Sequence, residues 1–332
     1  MLFLLLTLAA ASDAANMLFF SLGDWGGVSD THPTSKIELA NAQGMATAAK
    51  DFFGVDPSFV MLPGDNFYGS GIHGDAHSKR FEETFEGVFS QPELQDCPFY
   101  LVAGNHDHLG NVSAEIAYSS LSKRWNMPSM YYDFTKTAPD GATTQVVYID
   151  TVIFAGMSSE DVDAEAGVLR PWPEAQHLRG AQLEWLEKTL SASTADYLWV
   201  SGHYPIYSQC QHGPTKQLID DVLPLMKKYR ATGYIAGHDH CSGHFEDAGM
   251  QFVLAGAGKE CCYRPDHLHS SLNPKDGPLF RLDSESRHGL PGGGFASYTV
   301  NRTATTVRHH AGGDGSVLYT AAPLAPRSSS RA

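Results

Sequence analysis

The sequence predicts an α/β fold, because short apolar runs alternate with helical patterns along the chain. Runs such as MLFFSL, SFVML and YLWVS are apolar throughout, which is typical of strands buried on both faces. Later strand patterns, among them QFVLAG, FASYTV and TTVRHH, predict a second sheet that is rich in hairpins. We therefore expect the strands to be covered on both sides.

Helical patterns lie between the predicted strands, and no internal repeat is found. Pro214 suits the first turn of the last helix, and Pro224 within the same pattern predicts a kink. The predicted helices cover residues 35–50, 77–89, 113–124, 180–191 and 215–229.

Composition limits the classes of partner. The chain has 332 residues, 42% of them hydrophobic, and a formal net charge of -14. Its Lys and Arg residues form no patch, which argues against nucleic acid or an anionic membrane as the main partner. If the substrate is an anion, cations other than Lys and Arg must attract it.

Three segments lack the pattern of a packed domain. Residues 1–15 are Leu-rich and then Ala-rich, which predicts a secretory signal peptide. Residues 155–177 are acidic and without periodicity, which predicts an exposed loop, and residues 321–332 resemble a flexible tail. We therefore expect one folded domain over residues 16–320.

Two sequons and five cysteines agree with a secreted or lumenal location, which includes a compartment like the lysosome or vacuole. The sequons begin at Asn111 and Asn301. The cysteines allow at most two disulfides, their pairing stays open, and Cys97 has the pattern of a buried thiol. The other four are Cys210, Cys241, Cys261 and Cys262.

Polar residues follow five of the predicted strands, in turns that contain glycine. Taken singly, each has a structural explanation: an Asp after Gly stabilises a turn, and a buried His is usually a hydrogen-bonded core residue. Because ligands bind beyond the carboxyl ends of strands in α/β sheets, five such coincidences predict a binding site. The turns supply Asp24, Asp65, Tyr68, Asn105, His106, His203, His238 and His240.

The types of side chain point to metal ions. Carboxylates, a phenol and imidazoles suit iron, manganese or zinc, and no thiolate belongs to the set. Seven ligands are too many for one tetrahedral ion and suit two ions that share a carboxylate. Such a pair clamps the attacking and leaving oxygens of an in-line displacement. Metal ions also supply the positive charge that Lys and Arg do not.

The five turns carry a resemblance to a known family. GDWG, GDNFY, GNHDH, the His of VSGHYP and GHDH, in this order, resemble the signature of the purple acid phosphatases, which are calcineurin-like metallophosphoesterases. GNHDHLGNVSAEIAYSS and SGHYPIYS…HGPT are similar to the small, single-domain tartrate-resistant branch. The resemblance extends over about residues 18–310 and implies an α/β sandwich of two mixed β-sheets flanked by helices, in α-β-β-α layers.

The resemblance also implies a role for each residue of the site. Asp65 would bridge a ferric ion and a divalent ion, which is iron, zinc or manganese. His106 and His212 would act as catalytic residues at the substrate phosphate and the leaving oxygen. For Asp107 and His108, a structural role in the turn is an equal alternative. The resemblance implies Asp24, Tyr68 and His240 as ferric ligands and Asn105, His203 and His238 as ligands of the divalent ion.

The chain departs from the mammalian-type enzymes at two places. Gln211 stands where those enzymes have an acidic residue before the His of HGPT. Ala155 and Gln217 lie near the places of the paired cysteines that restrain their regulatory loop. Regulation by the loop and the acid limb of the pH profile of activity can therefore differ from those of the mammalian-type enzymes.

The resemblance implies a secreted acid phosphatase that acts on phosphate monoesters as a monomer, with no nucleic acid and no stable membrane anchor. Among enzymes, the alternative is a phosphodiesterase or pyrophosphatase that uses the same metals. The shape of the pocket decides which of these substrates is bound, and the sequence does not show that shape. A secreted iron-binding glycoprotein with incidental phosphatase activity is the alternative outside enzymes. His106 and His212 favour an enzyme, because iron carriage alone does not require them.

Overall fold

Two seven-stranded mixed β-sheets pack face to face in the computed structural model, which describes residues 16–156, 175–286 and 292–327. In the first sheet the strand order is β14-β13-β12-β1-β2-β3-β4. Strands β1 to β4 are parallel, and β12 to β14 continue the sheet from β1 as antiparallel neighbours. The strands are β1 (Met17–Ser21), β2 (Phe59–Pro63), β3 (Phe99–Val102), β4 (Trp125–Asn126), β12 (Gly294–Val300), β13 (Thr305–Ala311) and β14 (Val317–Thr320).

The second sheet has the order β11-β9-β10-β8-β7-β6-β5. Strands β10, β8, β7 and β6 are parallel, and the outer strands pair antiparallel. The strands are β5 (Tyr132–Thr137), β6 (Thr143–Tyr148), β7 (Tyr197–Ser201), β8 (Gly233–Ala236), β9 (Ser242–Asp247), β10 (Met250–Ala255) and β11 (Phe280–Leu282).

The strands are apolar on both faces because each sheet packs against the other sheet and against helices. Phe19 of β1 points between the sheets, where its ring stacks on Phe59 at 4.5 Å and on Tyr298 at 4.3 Å. Its neighbours Leu18 and Phe20 point the other way, toward the helical layer. The predicted burial of both strand faces and the α-β-β-α layers are thus confirmed.

Helices occupy the outer layers wherever the sequence predicts them. Ser35 caps the first helix with a capping box, and that helix continues into a π-helical segment, Ala48–Phe53. Pro224 lies inside the last helix as predicted, whereas Pro214 precedes the N-cap residue Thr215 and is not in the first turn. The helices are α1 (Lys36–Thr47), π-helical Phe81–Glu86, α2 (Asn105–His108), α3 (Val112–Tyr118), α4 (Thr151–Ala155), α5 (Ala175–Ala192) and α6 (Lys216–Lys228).

Two predictions about the C-terminal part need correction. The late strands do not form a second sheet by themselves, since β12 to β14 extend the first sheet beside β1. Residues 321–327 are not a free tail, because Ala321 is buried and hydrogen-bonds to Val307, and Leu324 pairs with Thr305. The rest of the predicted tail, the predicted signal peptide and most of the predicted loop at 155–177 lie outside the described residues.

The cysteines form two disulfides and leave one thiol. Cys210 bonds to Cys241, and Cys261 bonds to its neighbour Cys262. Cys97 is free and buried, which confirms its predicted state, and burial raises the pKa of its thiol to about 12. Within the described parts of the chain, no helix is long and apolar enough to cross a membrane.

A buried histidine pair outside the predicted site makes stability depend on pH. His244 and His309 are both buried, and the Nδ1 atom of His244 lies 3.2 Å from the Nε2 atom of His309. Burial lowers the pKa of His244 to about 4. Burial also lowers the pKa of His309, and the neighbouring His244 adds to this effect. Both rings are therefore neutral in the folded protein at neutral pH.

We expect the free energy of unfolding to fall as the pH drops from about 6.5, where an unfolded His begins to bind protons, to about 4. His309→Gln should reduce that slope by up to about 1.4 kcal/mol per pH unit. Denaturant unfolding at a series of pH values measures the slope, and the exposed His77→Gln is the matched control. An unchanged slope in His309→Gln would contradict the explanation.

Candidate metal centre

The structure brings the nine predicted site residues to one edge, where the two sheets meet. Loops after β1, β2 and β3 of the first sheet and after β7 and β8 of the second sheet supply them. The seven predicted ligands are buried, and His106 and His212 are half-buried. The binding edge is therefore shared between two sheets.

The backbone of these loops explains the glycines that precede the polar residues. A Cβ atom on Gly104 would lie 2.3 Å from Oδ1 of Asp65, and one on Gly237 would lie 2.4 Å from Oδ2 of Asp24. Asp24, Asp65 and His238 themselves have left-handed φ angles of 59°, 54° and 75°. Such angles are uncommon for residues other than glycine and are typical of functional turns.

Three predicted ligands surround the hydroxyl group of Tyr68, which is itself the fourth member of this group. This oxygen lies 3.0 Å from Oδ1 of Asp24, 2.8 Å from Oδ2 of Asp65 and 2.9 Å from Nε2 of His240. A phenol has one proton and cannot donate to all three atoms. Asp24, Asp65 and His240 can each offer a ligand atom within 4.8 Å of one another. The donor set therefore fits a cation among these four side chains.

A second group of ligands lies on the other side of Asp65. Oδ1 of Asp65 is 3.3 Å from Nε2 of His203, and that nitrogen is 2.8 Å from Oδ1 of Asn105. The ring of His238 lies beside His203, with 5.1 Å between the ring centroids. The two carboxylate oxygens of Asp65 thus face two different groups of candidate ligands.

Hydrogen bonds orient two of the imidazoles. Nδ1 of His203 donates to the carbonyl oxygen of Pro63 at 2.8 Å, and Nδ1 of His240 donates to Oε2 of Glu260 at 3.3 Å. Each bond directs the Nε2 atom toward the neighbouring ligands, as is usual for histidines that bind metals.

The electrostatics of the two carboxylates also fit a bound cation. Burial raises the pKa of Asp24 well above its usual range, and Asp65 adds to the rise. Burial acts on Asp65 in the same direction, but His203 and His106 hold the pKa of Asp65 well below its usual range. Among the described residues, no Lys or Arg forms an ion pair with either carboxylate. A metal ion would compensate both charges.

Each predicted catalytic histidine packs on a predicted ligand of a different group. The ring of His106 packs on Tyr68 at 4.4 Å, and its backbone N–H donates to Oδ1 of Asp65 at 3.0 Å. The ring of His212 stacks on His238 at 4.3 Å. Both residues are half-buried, whereas the seven predicted ligands are buried.

Asp107 and Asp239 hold the loops rather than enter the ligand groups. Asp107 accepts hydrogen bonds from the backbone N–H groups of Gly104 at 2.7 Å and of Asn66 and Phe67 at 3.0 Å each. This geometry favours the structural alternative for Asp107. Asp239 accepts from the backbone N–H of His212 at 2.8 Å and was not identified from the sequence. The Nε2 atom of His108 lies 2.8 Å from a carboxylate oxygen of Asp150.

The loop after β10 contributes residues that the sequence interpretation missed. Nζ of Lys259 lies 3.8 Å from the ring centroid of Tyr68, and the ring of Tyr263 stacks on His240 at 4.4 Å. The expectation that Lys and Arg contribute no positive charge at the site therefore needs correction. The signal was present, because QFVLA runs into a glycine turn, GAGKE, as the other five strands do.

Gln211 has an exposed side chain next to His212. Ala155 ends α4, and Gln217 lies in α6. Neither side chain can form a disulfide.

Comparison with known proteins agrees with this geometry. The family model of the calcineurin-like phosphoesterases matches residues 26–242. Tartrate-resistant acid phosphatase type 5 of Rattus norvegicus is 40% identical over 98% of this chain and 96% of its own length. The same enzyme of Homo sapiens is 37% identical over 97% of this chain and 96% of its own length. Purple acid phosphatase 17 of Arabidopsis thaliana is 30% identical, over 80% and 75%.

Solved structures show the same fold. A Plasmodium protein described as "GAP50 the anchor in the inner membrane complex" aligns with a TM-score of 0.71 at 23% identity, over 94% of this chain and 90% of its own. Purple acid phosphatase PPD1 from yellow lupin aligns with a TM-score of 0.58 at 16% identity, over 92% and 53%. Family model and relatives together show that the chain belongs to the calcineurin-like phosphoesterases and, within them, to the purple acid phosphatases of the tartrate-resistant type, which are binuclear metal enzymes.

Proposed function

We propose that this protein is a secreted or lumenal acid phosphatase that hydrolyses phosphate monoesters at a ferric ion paired with a divalent ion, which is iron, zinc or manganese. The observation that carries the proposal is the position of Asp65, whose two oxygens face two separate ligand groups. In the proposed centre Asp65 bridges the ions. Asp24, Tyr68 and His240 would hold the ferric ion, and Asn105, His203 and His238 would hold the divalent ion.

The chemistry of each ligand group supports this division. A phenol with two carboxylates suits a hard trivalent ion, whereas two imidazoles and a neutral amide suit a divalent one. When bound, the metal pair supplies a Lewis acid and an activated water for in-line attack on phosphorus. Because Asn105 adds no negative charge, its ion keeps a strong attraction for the anionic substrate.

Residues of the chain perform the remaining steps. His106 and His212 are half-buried and pack on Tyr68 and His238, and in the proposed centre their imidazoles would hydrogen-bond the phosphate oxygens. Protonated imidazole can also give its proton to the departing alkoxide, which is the step that a poor leaving group needs most. Asp239 holds the backbone of His212, and Asp107 holds the turn that carries His106.

Two alternatives are separated by direct assay. A phosphodiesterase or pyrophosphatase would use the same ligands, and an iron-binding glycoprotein would need the metal ligands without His106 and His212. On protein of measured metal content, we expect para-nitrophenyl phosphate to be hydrolysed much faster than a phosphodiester. Preferred diester hydrolysis would support the first alternative, and metal binding with negligible turnover would support the second.

Secretion rests on separate observations. The two disulfides agree with an oxidising compartment. Asn111 is exposed at the N-cap of α3 and is the more accessible sequon, since Asn301 is half-buried. A glycan is therefore proposed at Asn111.

The first prediction from this site concerns colour. Phenolate coordination by Tyr68 should give the iron-loaded protein a visible charge-transfer band. Tyr68→Phe should abolish the band with the fold retained, since the ring itself stays buried. Absorption and circular dichroism spectra measure both properties, and the buried but distant Tyr298→Phe is the control. A colourless wild-type protein that contains iron would contradict the assignment of Tyr68.

A second prediction separates the bridging carboxylate from the turn carboxylate. Asp65→Asn removes a charge between the two groups, so both ions should bind at least about tenfold more weakly, as when groups that support metal ligands are lost. Asp107→Asn should lower stability and leave metal content largely intact, because Asp107 contacts backbone N–H groups. The measurement is the metal content of each variant after dialysis. Equal loss of metal in both variants would show that the roles of Asp65 and Asp107 are assigned wrongly.

A third prediction concerns proton donation. If His212 protonates the leaving oxygen, His212→Ala should slow hydrolysis of an alkyl phosphate by about 10² to 10⁴-fold and affect an aryl phosphate much less. The exposed His269→Ala serves as the control. Turnover rates on both substrates over a range of pH test this, and equal losses on the two substrates would exclude His212 as the proton donor.

A further inference from the structure

The loop after β10 holds two opposite charges beside the proposed ferric site, at Lys259 and Glu260. Side chains of α1 and of its N-cap residue hold this loop in place. Nδ2 of Asn41 donates to the carbonyl oxygens of Ala257 and Gly258 at 2.9 Å each, and Oγ of Ser35 donates to the carbonyl oxygen of Lys259 at 3.0 Å. The two charges are thus attached to a backbone that packing holds in place.

Lys259 acts on the phenol ring. Its Nζ atom is 3.8 Å from the ring centroid of Tyr68, well inside the range of about 6 Å over which a cation and an aromatic face attract each other. The ring is buried and Lys259 is half-buried, so water screens their interaction less than at an open surface. Once the phenol is ionised by a metal, the attraction for the ammonium group increases further.

Glu260 acts on a different ligand of the same proposed ion. Its carboxylate accepts the Nδ1 hydrogen of His240, whose Nε2 atom lies 2.9 Å from the hydroxyl of Tyr68. A carboxylate in this position makes an imidazole a stronger donor through its other nitrogen. The side chain of Glu260 is 57% exposed, so we expect its effect to be smaller than that of Lys259.

We propose that Lys259 and Glu260 are positioning residues that set the electronic state of the ferric site in opposite directions, Lys259 through Tyr68 and Glu260 through His240. The inference rests on the proposed ligand set. The positive charge lowers the energy of the phenolate electrons and favours the reduced ion. The negative charge increases donation by His240 and favours the oxidised ion.

Two properties of the iron-loaded protein test the inference without reference to activity. Lys259→Met keeps most of the side-chain length and removes the charge. Because transfer of an electron from phenolate to iron then requires less energy, the visible band should move to longer wavelength by roughly 10 nm or more. The reduction potential of the iron should fall in Lys259→Met and should rise, by less, in Glu260→Gln.

Control variants distinguish failure of this inference from failure of the proposed ligand set. Lys259→Arg retains the charge and should keep the wild-type band, and Lys275→Met removes an exposed lysine and should change neither property. A colourless iron-loaded wild type would refute the proposed ligand set. A coloured wild type whose band and potential stay the same in Lys259→Met would overturn the inference alone. If Lys259→Met loses iron, the test is the reduction potential of the iron in Glu260→Gln, whose side chain is more exposed. A potential that is unchanged or lower in Glu260→Gln also overturns the inference.

Discussion

The structure of the site depends on two buried carboxylates that lie side by side. Asp24 and Asp65 both contact the hydroxyl of Tyr68 and are almost without solvent. Charges placed together in this way are costly unless a cation compensates them, and the described residues place no Lys or Arg in an ion pair with either carboxylate. The arrangement therefore fits metal ions, and backbone N–H groups of the loops hold both carboxylates in place.

Residues outside the ligand groups hold those loops at defined distances. Arg80 is buried and donates to the carbonyl oxygens of Gly26 at 3.1 Å and Tyr68 at 2.9 Å, which ties the first two ligand turns together. On the second sheet, Asp239 accepts the backbone N–H of His212, and the Cys210–Cys241 disulfide joins the same two loops. Each sheet thus carries its own brace, and the proposed metal pair connects the two sheets.

The turns that carry the predicted ligands were recognisable because a local rule produces them. A buried strand that ends in glycine and a polar residue is recognisable without knowledge of the fold, and close backbone approach requires the glycine, as at Gly104 and Gly237. The division of these turns between two sheets was not predictable from the strands, because β1 and β7 have the same continuously apolar pattern. Pairing of β12 with β1 depends on contacts far apart in sequence, which periodicity does not reveal.

Lys259 shows why a prediction based on types of residue misses part of a site. The glycine turn after QFVLA marks the loop, but the lysine within that loop has no feature that distinguishes it from a surface lysine. Its proximity to Tyr68 arises because β10 lies beside β8, so that the loop after β10 reaches the edge that carries His238 and His240. In the proposed centre, a single ammonium group on the Tyr68 ring would influence the ions more than many distant acidic side chains, because Coulomb interactions weaken with distance and are screened by salt over about 10 Å. The acidic surface and the cationic site are therefore compatible: local charge governs binding of the phosphate, and net charge governs the behaviour of the protein in solution.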